Sequence, residues 1–123
     1  MLSGERVLII EDVFLIALSM QDSLEAVGAT ETIVARDFVE AGAISGRFSE
    51  FGLAIINAPR ESTDDWRIAG LLVAAGVPIV VCTAARLELG GGPLAGAELI
   101  IKPYVDEDLL AACRRALEQR RPA

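Results

Sequence analysis

The chain has 123 residues, 53% hydrophobic and 24% charged, which describes one globular domain with a generous core and no room for a second of comparable size. Its 11 Lys plus Arg against 18 Asp plus Glu give a net charge of −7, so its field repels nucleic-acid phosphates and anionic membrane surfaces. There is no histidine, which excludes a phosphohistidine carrier and any imidazole base or metal ligand.

Arg6 to Ile10 reads as a short buried strand, with the acidic pair Glu11 and Asp12 at its carboxyl end opening a helix. In that helix Val13, Ile16, Ala17, Met20, Leu24 and Val27 recur at helical spacing, and Gly28 closes it. The VLII run before Glu11 is too short for a signal-peptide core, so no export is expected. Glu31 to Arg36 has strand composition, and Asp37 is placed to cap a weaker helix running to about Arg47, with Gly42 and Gly46 lowering its propensity.

Leu53 to Ile56 is a third apolar strand ending at Asn57, and a loop over 58–64 leads to a helix through Trp66, Leu71 and Leu72. Ile68 to Ala85 carries no charge and approaches the length of a membrane span. Gly76 and Pro78 divide it into a helix end and a strand start, which favours two buried elements over a span. Val77 to Cys82 is the fourth strand. The Gly90-Gly91-Gly92-Pro93 tract then makes a long regular helix over 84–97 improbable. Leu99 to Ile101 is the fifth strand, and Asp106 caps a last helix whose apolar stripe is Leu109, Leu110, Cys113, Ala116 and Leu117. Cys82 and Cys113 belong to no CxxC or CxxH spacing and read as buried free thiols in a reducing cytoplasm.

Five short, continuously apolar strands alternating with helices indicate a parallel sheet covered on both faces, a doubly wound α/β domain spanning residues 1–123. In such sheets the functional crevice lies at the carboxyl ends of the strands. The polar residues at those ends are Glu11, Asp12, Asn57, Thr83 and Lys102, the last being the chain's single lysine. No GxSxG, GxGxxG or P-loop run is present, so serine catalysis and nucleotide binding have no support, and no enzyme is expected.

An acidic pair after strand one, a residue ending strand three, Thr after strand four and Lys-Pro after strand five together resemble the receiver domains (CheY-like) of two-component response regulators, over the whole chain. That resemblance implies a flavodoxin-like (βα)5 fold, cytoplasmic location and a protein partner, a histidine kinase or another signalling protein. It makes Glu11 and Asp12 the metal-binding acidic pair, Thr83 the switch hydroxyl and Lys102 the phosphate-binding lysine. Asn57 stands where the family has its phosphoaccepting aspartate.

An amide is neutral, weakly nucleophilic and unable to give a stable acyl phosphate, so ordinary phosphotransfer should fail. Magnesium binding by Glu11 and Asp12 should be weak at most, since Asn57 removes a negative charge and magnesium demands tight octahedral geometry. No other cofactor is implied. Leu99, three residues before Lys102, stands where many receivers carry an aromatic. The family's common partner face maps onto Arg86, Leu87, Leu89, Leu94, Leu99, Tyr104 and Leu109, and a homodimer through the last helix and fifth strand would use the same side. The competing reading is a small flavodoxin-like ligand-binding protein or enzyme using Glu11, Asp12 and Lys102 in the same crevice.

Overall fold

The computed structural model describes residues 2–61, 63–84 and 92–119. In chain order the elements are β1 (Arg6–Ile10), α1 (Phe14–Ala26), β2 (Glu31–Ala35), α2 (Phe38–Gly42), a 3-10 turn (Ser45–Glu50), β3 (Leu53–Asn57), α3 (Thr63–Ala74), β4 (Ile79–Thr83), β5 (Glu98–Ile101) and α4 (Asp106–Glu118). The strands form one sheet in the order β2-β1-β3-β4-β5, and every neighbouring pair is parallel. This is the expected flavodoxin-like, doubly wound plan, with the order reversing between β1 and β3.

Side chains alternate across a strand, so each central strand feeds both layers. Leu8, Ile10, Ala54, Ile56 and Val81 pack on one face with Phe38 and Ala41 of α2 and Ile68, Ala69 and Leu72 of α3. Val7, Ile9, Leu53, Ile55, Val80 and Cys82 pack on the other with Met20 and Leu24 of α1 and Leu109, Ala112 and Cys113 of α4. Truncating a fully buried member such as Leu72 to alanine should cost about 2–5 kcal/mol through lost transfer energy and the cavity left behind. No helix among the described residues is long and apolar enough to cross a membrane, and the uncharged run from Ile68 divides into α3 and β4.

The helix ends follow local chemistry. Gly28 (φ +108°) and Gly76 (φ +80°) take left-handed conformations just beyond α1 and α3, as their sequence positions imply. Gly28 is doubly constrained, because a Cβ there would lie 3.3 Å from the Ser3 backbone nitrogen. Asp37 caps α2 by accepting the Glu40 N–H at 2.8 Å.

Several boundaries differ from expectation, and Asp106 is the first residue of α4 instead of its cap, which is Val105. The helix after Asp37 stops at Gly42 instead of continuing to Arg47, and the chain proceeds through the 3-10 turn that seats Phe48 in the core. Gly42 also faces α3 so closely that a Cβ would stand 2.9 Å from Ile68 Cδ1, so a larger residue there would require the Ile68 side-chain tip to move. β4 begins at Ile79 and includes Thr83, whereas Pro78 lies just outside it and gives its carbonyl to Ala54 N–H. α1 begins at Phe14, two residues after the acidic pair that was expected to open it.

Candidate functional site

Parallel register brings the strand ends level: Ile10 stands beside Ile56, Asn57 beside Cys82, and Thr83 beside Ile101. Residues at or just beyond those ends therefore converge on one edge of the sheet. Lys102 follows β5 and is fixed there because its N–H donates to the Thr83 carbonyl at 2.7 Å; the Lys102-Pro103 peptide is cis.

Glu11 is buried, with no side-chain exposure, and both its oxygens are occupied. Oε1 accepts from Lys102 Nζ at 3.0 Å. Oε2 accepts from the Val13 N–H and from Asn57 Nδ2, each at 3.1 Å. The Glu11 carboxylate thus takes the backbone donor at the N-cap of α1, which explains why the helix starts beyond the acidic pair.

Asn57 links the whole set. Its Nδ2 donates to Glu11 Oε2 at 3.1 Å and to Asp12 Oδ1 at 3.2 Å, and its Oδ1 accepts from Lys102 Nζ at 3.1 Å. The opposite amide orientation would point its oxygen at two carboxylates and its two donors at an ammonium, so electrostatics dictates the one observed. Among the described residues no buried side-chain nitrogen or oxygen lacks a partner. Asp12 is exposed, and its carboxyl is held below the usual aspartate range. The Glu11 side chain contributes most to that shift, its own backbone amide next; Lys102's charge and the Asn57 amide add to them against partial desolvation.

Magnesium is the ion this acidic pair would be expected to hold, and the donor set does not fit it. The Glu11 oxygens already accept N–H donors, Asn57 turns its nitrogen toward both carboxylates, and an ammonium sits 3.0 Å from Glu11. The described residues contain no group of three or more His, Cys, Asp or Glu arranged to hold a metal ion.

Other residues singled out by the sequence fall in different places. Thr83 is buried at the end of β4, and its carbonyl ties it to Lys102. Of the partner face, Arg86, Leu87 and Leu89 lie outside the described residues, as do Gly90 and Gly91 of the Gly90–Pro93 tract. Leu94 and Leu109 are each 1% exposed and belong to the two cores, so they are corrected from contact surface to packing. Leu99 and Tyr104 are half-buried, and the exposed apolar residues beside them are Ile101 and Val105. Burial raises the Tyr104 phenol well above its ordinary value, with Cys82 and Glu11 adding to the effect.

Sequence reasoning missed a second apolar surface. On and before α1, Val13, Phe14, Leu15 and Leu18 are exposed, with Phe14 at 74% and Leu15 at 72%. Leu15 continues into an open groove of about 610 Å3 lined also by Ile16, Met20, Tyr104 and Asp106. The signal was present, since Phe14, Leu15 and Leu18 fall off the buried Ala17-Met20-Leu24 stripe.

No family model and no curated protein sequence matches the chain. Solved structures do. It is similar to a response regulator receiver protein from Sinorhizobium medicae, at 18% identity over 98% of this chain and 100% of that one, with a TM-score of 0.81. A CheY-like receiver domain protein from Methanospirillum hungatei is 23% identical over 96% and 97% of the two chains, TM-score 0.76. The receiver domain of the histidine kinase CKI1 from Arabidopsis thaliana, complexed with Mg2+ and BeF3−, is 16% identical over 95% and 91%, TM-score 0.70. At these identities the likeness establishes the fold: this is a receiver fold over the described length.

Proposed function

We propose that the chain is a signalling module of the two-component (phosphorelay) type, acting by protein contact and independent of phosphorylation at position 57. The observation that carries this reading is the wiring of Asn57, which spends both amide N–H groups on Glu11 and Asp12 and its oxygen on Lys102. A phosphoryl group would need an anionic oxygen at that point as nucleophile and Lys102 free to meet its charge. Here the amide supplies no such oxygen, and Lys102 is already committed.

A module of this kind serves as a fixed-state adaptor or decoy, and its natural partner is a histidine kinase or another cytoplasmic signalling protein. Leu99 and Tyr104, with exposed Ile101 and Val105, form the apolar part of the contact face beside α4, which also suits self-association. Challenge with acetyl phosphate and magnesium tests the reading by intact mass. Wild type should gain no phosphoryl group and Asn57→Asp should gain one; a phosphorylated wild type would overturn it.

A further inference from the structure

Lysine, asparagine and a buried carboxylate meet in the crevice within hydrogen-bonding distance of one another. Lys102 Nζ lies 3.1 Å from Asn57 Oδ1, one bond from the amide carbon. Glu11 spans both reacting nitrogens: Oε1 is 3.0 Å from Lys102 Nζ, and Oε2 is 3.1 Å from Asn57 Nδ2. A single carboxylate therefore touches the amine that must lose a proton and the nitrogen that must leave. Asp12 holds the same Nδ2 from its other side, at 3.2 Å, which keeps the leaving nitrogen turned toward the carboxylates.

We infer that the folded chain can cross-link itself, joining Lys102 to Asn57 through an isopeptide bond with loss of ammonia. Lys102 passes a proton to Glu11 Oε1, and the lone pair freed on Nζ attacks the Asn57 amide carbon, whose carbonyl electrons move to Oδ1. Glu11 returns one proton to Nδ2. The carbon–Nδ2 bond then breaks as the carbonyl re-forms, and the second proton lost by Nζ passes through Glu11 to the departing ammonia, which leaves as ammonium. The products are a secondary amide and one ammonium ion, with Glu11 again a carboxylate and no oxidant, reductant or cofactor consumed. Fixed proximity replaces a bimolecular encounter, and the bridging carboxylate supplies general acid–base catalysis.

The bond would tie the end of β3 to the residue after β5, across β4, closing a span whose ends are 45 positions apart. The ionic contact is then the starting state of a slow, irreversible locking of the crevice. This reaction needs only the three side chains, and its product gives up the Asn57 Nδ2 contacts with Glu11 and Asp12.

Intact mass of the purified full chain, followed over days at physiological temperature, is the test. Wild type should lose the mass of one ammonia, tandem mass spectrometry should place the link between Lys102 and Asn57, and the loss should be absent in a chain kept denatured in urea. Lys102→Arg, which keeps the charge but not the nucleophile, should abolish it. Glu11→Gln, with its fold checked by circular dichroism, should slow it by roughly 100-fold or more. An unchanged wild-type mass would overturn the inference. So would a small gain from water converting Asn57 to aspartate, or equal loss in the denatured chain.

Discussion

The Lys102 ammonium points at the Asn57 side-chain oxygen from 3.1 Å, and that contact determines which way the amide faces and hence what Glu11 and Asp12 meet. The same ammonium also donates to the deeply buried Glu11 carboxylate at 3.0 Å. A buried pair broken by removing one member costs about 3–5 kcal/mol, and water access lowers that figure. Glu11 is fully covered but the Lys102 side chain is 26% exposed, so Lys102→Ala should destabilise the fold by about 2 kcal/mol. Urea denaturation with an unchanged slope is the measurement, and a cost within error of zero would show that solvent already screens the pair.

Asn57→Asp replaces two donors by an acceptor facing two carboxylates. Its hydrogen bonds to Glu11 and Asp12 turn into repulsions, while the contact with Lys102 is kept. The variant should be less stable than wild type in chelator-treated buffer by about 2 kcal/mol, on the scale of hydrogen bonds to charged groups. Magnesium should restore the loss through binding to the folded state. Thermal melts with and without the ion check both halves.

Acid sensitivity should trace in part to Asp12. Its folded value is depressed from 3.8, so its contribution is complete above that value and disappears as the pH falls through the lower folded one. Asp12→Asn should accordingly flatten the acid limb of the stability curve between about pH 5 and pH 2, read from melting temperatures at constant ionic strength.

Both thiols should be silent in the native chain. Burial pushes Cys82 and Cys113 up from 9.0 to about 12, with Lys102 offsetting the rise at Cys82. The stability this represents is fully present below pH 9 and is lost as the pH climbs toward 12. Iodoacetamide at neutral pH should label neither cysteine until denaturant is added, and rapid native labelling would contradict their placement in the sheet–α4 core.

Much of the scaffold was legible because the strands carry their signal locally. Arg6–Ile10 was placed to the residue, and β3 and β5 within one, since four- to five-residue apolar runs bounded by polar or turn residues have few other uses. Gly28, Gly76 and Asp37 declared helix ends through backbone chemistry that needs no tertiary context. The misses arise where packing decides. The helix after Asp37 ends early and gives way to a 3-10 turn that seats Phe48 in the core, a packing arrangement no window of sequence contains. Leu94 and Leu109 look alike to Leu15 in a sequence, yet two face the core and one faces solvent. In the crevice the participants were readable from strand-end positions, whereas the bridging role of Glu11 depends on its burial and on the direction of the Asn57 amide.

Asn57 donates to both acidic side chains, and its oxygen shares the Lys102 ammonium with Glu11, an arrangement that needs no metal ion to offset the two carboxylates. Calorimetric titration of magnesium into metal-free wild type and Asn57→Asp tests it most directly. Wild type should show no saturable binding across the millimolar range and Asn57→Asp clear binding; saturable binding of equal affinity to both would rule out a metal-independent crevice.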